Sequence, residues 1–278
     1  PYSEGIGREV FRASVFDFRG VDVVHGNATI EPAPARNARR VEMIGASDSA
    51  GWCVDGTPNT SSFDYALLGW EYSDCDGAAG AELARRFDAD ISVQALAGAG
   101  LTQNANAKQQ WQMGKLTMAD YYTRTLQTDS ETPWKMSEHS PPQLVLVSLG
   151  GNDYNHQGGD VPSNATFTAA YTKLLADIFS NYSAAQPAVV SVCGQGSPIE
   201  AKYDPDNNRC RPCPHVQTAV EAFRAAHPAA RAEYIFVPCD GSVVTGDGDI
   251  GCNGHKNRVG QLRVAEFLEP QLRRIMGW

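Results

Sequence analysis

Four short segments of this 278-residue chain carry the residue types that nucleophilic catalysis requires. The first is Gly45-Ala46-Ser47-Asp48-Ser49-Ala50-Gly51. A serine on a tight turn exposes its hydroxyl, which a nucleophile needs. The second is Ala97-Gly98-Ala99-Gly100-Leu101, where small residues let backbone N–H groups face a ligand. The third is Gly150-Gly151-Asn152-Asp153. Its Asn152 amide can donate to a developing oxyanion, and Asp153 can hold the loop. The fourth is the glycine-rich run from Asp247 to His255, whose histidine can serve a nearby serine as general base. Each segment alone has a plainer reading, as a tight turn, an Asx turn or a surface histidine.

The elements that must position these groups alternate between strand and helix. Arg40–Gly45, Ile91–Leu96, Gln143–Leu149, Ala188–Cys193 and Tyr234–Val237 read as strands. The run 143–149 is apolar on both faces, as a central parallel strand must be. Helices are expected at Ala78–Phe87, Ala165–Phe179, Val216–Ala226 and Val259–Ile275, the last bent at Pro270. In the second, Phe167, Tyr171, Leu174, Leu175 and Ile178 form one apolar stripe. Such alternation predicts an open parallel sheet with helices on both faces and a site at the strands' carboxyl ends. Each of the four segments follows a strand. Residues 8–30 read as strand-rich, and the proline- and arginine-bearing run 31–40 as a linker. That places a boundary between an N-terminal segment, 1–39, and a main domain, 40–278.

Ser, Gly, Asn and His in this order, each at a strand end, resemble the SGNH (GDSL-type) hydrolases. Gly45 to Gly51 matches that superfamily's G-D-S-x-x-x-G block, except that Ala46 stands where the aspartate would be. Gly150 to Asp153 matches G-x-N-D, and His255 matches the catalytic histidine. A closer resemblance is to carbohydrate esterase family 2. It is carried by Phe11 through Pro-Ala-Pro-Ala-Arg into Val41-Glu-Met-Ile-Gly, by Leu96-Ala-Gly-Ala-Gly-Leu101, and by Gly251-Cys-Asn-Gly-His255 with its Ala-Glu-Phe-Leu helix.

The resemblance implies a flavodoxin-like three-layer α/β sandwich around a five-stranded parallel sheet. It also implies that residues 1–39 are the last strands of a jelly-roll domain. The implied activity is removal of O-acetyl groups from a polysaccharide or oligosaccharide of the acetyl xylan or glucomannan type. Ser47 is then the nucleophile and His255 the base, with the Ser47 N–H, the Gly98 N–H and the Asn152 side chain as oxyanion donors. Trp52, Asp153, Tyr154 and His156 are candidates for binding substrate. This chemistry calls for no metal and no cofactor. Two departures bear on it. Ala46 removes a carboxylate beside the nucleophile, for which Asp48 is a substitute, and it opens a rival register on Asp48-Ser49. Before the histidine, where the family often has an aspartate, stand Cys252 and Asn253. The group that orients His255 is then the Asn253 side chain, a backbone carbonyl or Asp249. Rival functions are a small-acyl esterase or lipase, an acyltransferase, and a catalytically weakened glycan-binding protein.

Composition narrows the partners. With 23 basic and 32 acidic residues the chain carries net −9, which repels nucleic-acid phosphate and anionic lipid. No apolar run approaches the roughly 18 residues that span a bilayer. Seven cysteines and sequons at Asn27, Asn59, Asn164 and Asn181 point to a secreted, disulfide-bonded glycoprotein, expected to be monomeric. Cys53–Cys75 and Cys239–Cys252 are plausible bridges because each closes a short loop, and a bridge at Cys252 would pin the His255 loop. The alternative for Cys210-Arg-Pro-Cys213 is a zinc site with His215.

Overall fold

The structure, a computed structural model, describes residues 19–20, 22, 26, 30–60, 69–105, 116–125, 131, 133–134, 140–155, 160–194 and 207–278. Most of the segment expected to be strand-rich therefore lies outside the described residues.

Five strands form one parallel sheet: β1 (Arg39–Gly45), β2 (Ala89–Ala95), β3 (Leu144–Ser148), β4 (Ala188–Gly194) and β5 (Ala232–Val237). Their order is β2-β1-β3-β4-β5. This is the doubly wound order in which the chain reverses direction across the sheet between β1 and β3. Gly45 at the end of β1 lies opposite Ser148 at the end of β3. The segments bearing Ser47 and Asn152 therefore emerge side by side at the switch point.

Helices α1 (Ser47–Ala50), α2 (Ala79–Arg86), α3 (Met118–Tyr121), α4 (Asn164–Asn181), α5 (Cys213–Ala226) and α6 (Arg258–Met276) are the described α-helices, with short 3₁₀ turns between elements. On one face, Phe167, Tyr171, Leu174 and Ile178 of α4 pack with Val216, Val220 and Phe223 of α5. On the other, Leu83 of α2 packs with Val264, Leu268 and Leu272 of α6. At about 1.5–3 kcal/mol for each fully buried large apolar side chain, these two layers supply the main force that holds the sheet between its helices. The sequence-based boundaries agree within a few residues. The short α1 and α3 were not anticipated, since single turns carry too few residues to show a period. The last helix runs unbroken through Pro270.

Two helix starts matter for the site. Ser163 caps α4 by accepting the Thr166 N–H at 3.1 Å. Asn257 caps α6 by accepting the N–H groups of Val259 and Gly260 at 2.9 and 3.1 Å. The Asn257 cap fixes where α6 begins, and therefore where His255, two residues earlier, is released. Within β1, Glu42 interrupts the apolar run: it is buried, and burial pushes its carboxyl up to about 7 against hydrogen bonds from Tyr182 and Tyr122.

Candidate active site

At the end of β1 the chain turns through Ala46 into α1, whose first residue is Ser47. The first-turn N–H groups of a helix have no intrahelical partner, so the Ser47 N–H is available to a ligand. Gly45 makes room for this turn: a Cβ there would lie 2.1 Å from the Ser49 hydroxyl. Ser49 is buried against Gly45, while the half-buried Ser47 meets the histidine. The rival register on Ser49 is thereby displaced.

His255 reaches Ser47 from the far end of the chain. Its Nε2 lies 2.8 Å from Ser47 Oγ. Its Nδ1 lies 3.0 Å from the backbone carbonyl of Asn253. A carbonyl can only accept, so Nδ1 carries the proton and Nε2 accepts from the serine, the tautomer that a general base needs. Of the three candidate orienting groups, Asn253 therefore contributes its main chain. Asp249 is engaged elsewhere: one oxygen accepts from Thr245 Oγ1 at 2.8 Å and the other pairs with Arg263 at 3.0 Å.

The loop carrying His255 is closed on itself and fastened to the nucleophile loop. Ile250 bridges Lys256 in antiparallel fashion, and the Gly251 N–H donates to the His255 carbonyl at 2.7 Å. Cys252 is bonded to Cys53, and Arg258 pairs with Asp55 and Asp74. The two loops touch so closely that a Cβ on Gly251 would sit 2.0 Å from the Cys53 carbonyl oxygen, which excludes any other residue there.

The remaining segments build the opposite wall. Asn152 donates its amide to the Ala99 carbonyl at 2.8 Å, which leaves its second amide hydrogen for a ligand. Asp153 is fully buried, and its carboxylate gathers the N–H of Leu101 at 2.9 Å and the hydroxyl of Thr102 at 2.6 Å, with the Thr102 and Gln103 N–H groups also on it. Burial pushes the Asp153 pKa up, while those donors pull the other way. The Gly98-to-Gln103 loop is thus tied to the Asn152 loop through one carboxylate. Gly100 is required for this, because a Cβ would lie 1.8 Å from the Gln103 carbonyl oxygen.

Two expected substrate contacts fall away. Asp153 is inaccessible and has the anchoring role instead. Tyr154 is 2% exposed: it stacks with His215 at 6.1 Å between ring centres and meets Phe167 edge-on at 5.3 Å. The single 3₁₀ turn Asn152–Tyr154 explains this, since residues two apart on a threefold helix point in different directions. Trp52 is half-buried, and its N–H closes the turn onto the Ser47 carbonyl at 3.0 Å. His156 lies outside the described residues.

The cysteines pair differently from the short-loop expectation. The bridges are Cys53–Cys252, Cys193–Cys213 and Cys210–Cys239, and Cys75 is exposed and unbridged. Cys53 and Cys252 are 199 residues apart but meet at the sheet's carboxyl edge. Both cysteines of C-x-x-C are in bridges, so neither is free for zinc. The bridge at Cys252 does pin the His255 loop, though to a different partner.

Sequence reading missed one cluster. Asp48 lies 2.9 Å from the Lys256 ammonium and 3.6 Å from the Arg209 guanidinium. Lys256 is wholly buried. Burial opposes ionisation of Asp48, but Lys256, Arg209 and His255 together hold it well below the usual carboxylate range. Burial likewise pushes His255 down, to about 4, with Asp48 opposing and Arg209 and Lys256 adding to the effect.

No family model matches the chain. An acetylxylan esterase / glucomannan deacetylase of Cellvibrio japonicus is 22% identical over 264 residues, covering 91% of this chain and 64% of that protein. The cellulase/esterase CelE of Acetivibrio thermocellus is 30% identical over 174 residues, 59% of this chain and 18% of that protein. The chain thus spans less than two thirds of the length of these relatives. Among solved structures, a family two carbohydrate esterase from Clostridium thermocellum in complex with cellohexaose superposes with a TM-score of 0.74 at 22% identity, covering 91% of this chain and 69% of that one. A family 2 enzyme with its carbohydrate binding domain from Corynascus thermopiles gives 0.73 at 23%, covering 91% and 70%. The five-stranded parallel sandwich is the fold of these solved structures.

Proposed function

We propose that this chain is a carbohydrate esterase of family 2, a serine esterase that removes O-acetyl groups from a polysaccharide of the xylan or glucomannan type, with residues 40–278 as its catalytic domain. The observation that carries the reading is the 2.8 Å contact of His255 Nε2 with Ser47 Oγ at the sheet's switch point. The names of the similar proteins supply the substrate class.

In this reading Ser47 attacks the acetyl carbonyl as His255 takes its proton at Nε2. The Nδ1–H stays hydrogen-bonded to the Asn253 carbonyl, so the imidazolium is steadied by a neutral acceptor. The oxyanion takes hydrogen bonds from the Ser47 N–H, the Gly98 N–H and the Asn152 amide, each such donor being worth about 10²–10³ in kcat. His255 then gives its proton to the departing sugar oxygen, which leaves as a hydroxyl. Water, deprotonated by the same imidazole, releases acetate from Ser47. Trp52, half-buried beside the nucleophile, is the stacking surface for a sugar ring. The three bridges, with exposed sequon residues Asn59, Asn164 and Asn181, support secretion into an oxidising compartment.

The test is acetate release from acetylated xylan, acetylated glucomannan and p-nitrophenyl acetate by the wild type, Ser47→Ala and Ser49→Ala. Release from the polysaccharides that disappears in Ser47→Ala and survives in Ser49→Ala is expected. Activity on the small ester alone would replace the polysaccharide reading with a general esterase. No release from any substrate would overturn the enzyme.

A further inference from the structure

Asp48 and Lys256 are the chain neighbours of Ser47 and His255. Their ion pair, at 2.9 Å, parallels the serine–histidine contact one residue further along each strand of chain. The other fixtures of the His255 loop are backbone hydrogen bonds, a disulfide, the Asn257 cap and the Arg258 ion pairs, and the acceptor on Nδ1 is a neutral carbonyl. Asp48 is held on its other flank as well: Gln261, itself buried, donates to its carbonyl at 3.0 Å. Gly260 packs under the Lys256 stem, where a Cβ would come to 3.1 Å. The second carboxylate oxygen of Asp48 is buried without a hydrogen-bond partner among the described residues, and Asp48 lines a small, mainly apolar cavity with Ser49, Ser148 and Gln261. A carboxylate so confined keeps a fixed place relative to the imidazole.

We propose that Asp48, clamped by Lys256, is a positioning residue for His255: it fixes the base against Ser47 and supplies through space the negative charge that the Asn253 carbonyl lacks. The inference rests on the Ser47–His255 reading and adds to it a substitute for the acid missing before the histidine. The charged groups acting on His255 are Asp48 on α1, Lys256 on its own loop and Arg209 ahead of α5, together with the dipole of the Asn253 carbonyl. Lys256 and Arg209 destabilise the imidazolium, and Asp48 alone among the three charges favours it. The two members of the ion pair therefore act on the base with opposite sign, whereas a purely structural clamp would fail in the same way whichever member was removed.

The experiment titrates the His255 imidazole by NMR in the full chain with labelled histidine, the resonance being assigned with His255→Gln, alongside the pH profile of acetate release. Asp48→Asn is expected to lower the imidazole pKa and Lys256→Met to raise it, each by about one unit, or roughly tenfold in rate on the acid limb. Because the base must be neutral, the wild-type acid limb falls near pH 4. Activity rises as pH climbs through it, and the limb moves with the imidazole in each variant. Removing Asp48 takes from Lys256 and Arg209 the carboxylate they share, so Asp48→Asn is also made in the Lys256→Met background, where it is expected to lower the pKa again. Shifts of the same sign, or no shift, in both backgrounds would overturn the proposal. Because the titration needs no turnover, a wild type that releases no acetate defeats the esterase reading alone.

Discussion

The two walls of the site are held by different means. On the oxyanion wall, one buried carboxylate, Asp153, gathers donors from residues 101–103, and the residue before it, Asn152, grips Ala99. Anchor and functional group are chain neighbours. On the base wall, the functional group is a side chain, and its supports come from far away: Cys53 lies 199 residues from Cys252, and Ser47 lies 208 residues from His255. The proposed oxyanion donors are mostly backbone amides, which a local loop can aim. A histidine that must meet a serine at the other end of the chain needs long-range fixtures. The first wall should therefore fail by losing one residue, and the second by losing connections.

The largest effect is expected from Asp153→Ala. It would leave three loop N–H groups without their acceptor and loosen the Gly98 loop, which Asn152 would then hold through Ala99 and Gln103 through the residue-153 carbonyl. The expected outcome is a fall in kcat of about 10²–10³, the size of losing an oxyanion donor, with a much smaller change in KM. Steady-state kinetics on p-nitrophenyl acetate would show it. A loss confined to KM would mean that this wall binds substrate and does not stabilise charge.

The intermediate effect belongs to the bridge. Replacing Cys53 and Cys252 together with alanine opens the longest covalent loop and is expected to cost about 2–5 kcal/mol of stability. Denaturant unfolding of the double variant measures this. The base wall retains Asp48–Lys256 and Arg258–Asp55, so the folded variant should keep activity at permissive temperature and lose it on heating before the wild type does. Activity lost entirely at low temperature would show that the bridge alone places His255.

The same contrast explains what could be read from the sequence. The Leu144–Ser148 strand, the α4 stripe and the G-x-N-D block are local patterns, where period and composition carry the signal. The anchoring of the Gly98 loop was legible because Asn152 and Asp153, which both hold it, are adjacent letters. The bridges were not. A short-loop argument favours Cys53–Cys75, but the carboxyl edge of a parallel sheet brings together the loops that follow different strands, so Cys53 meets Cys252. Asp48–Lys256 was hidden for the same reason: an aspartate after a serine and a lysine after a histidine have no pattern until the fold joins them. Tyr154 was misread because adjacency to Asn152 says nothing about direction, and one 3₁₀ turn sends it into the core.

The smallest expected effect tests the point where the two walls differ most in chemistry, the acceptor on the base. Asn253 lies in the left-handed region at φ 53°, a conformation that glycine adopts freely. If its backbone carbonyl is what orients His255, the side chain is dispensable, and Asn253→Gly should leave kcat within about twofold of wild type with the acid limb in place. Asn253→Ala keeps the carbonyl but strains the turn, at a cost of about 1–2 kcal/mol, so it should lower thermal stability while activity at low temperature persists. A large drop in kcat for the glycine variant, with the fold intact, would instead assign the orienting role to the Asn253 amide. The base wall would then depend, like the oxyanion wall, on one local side chain.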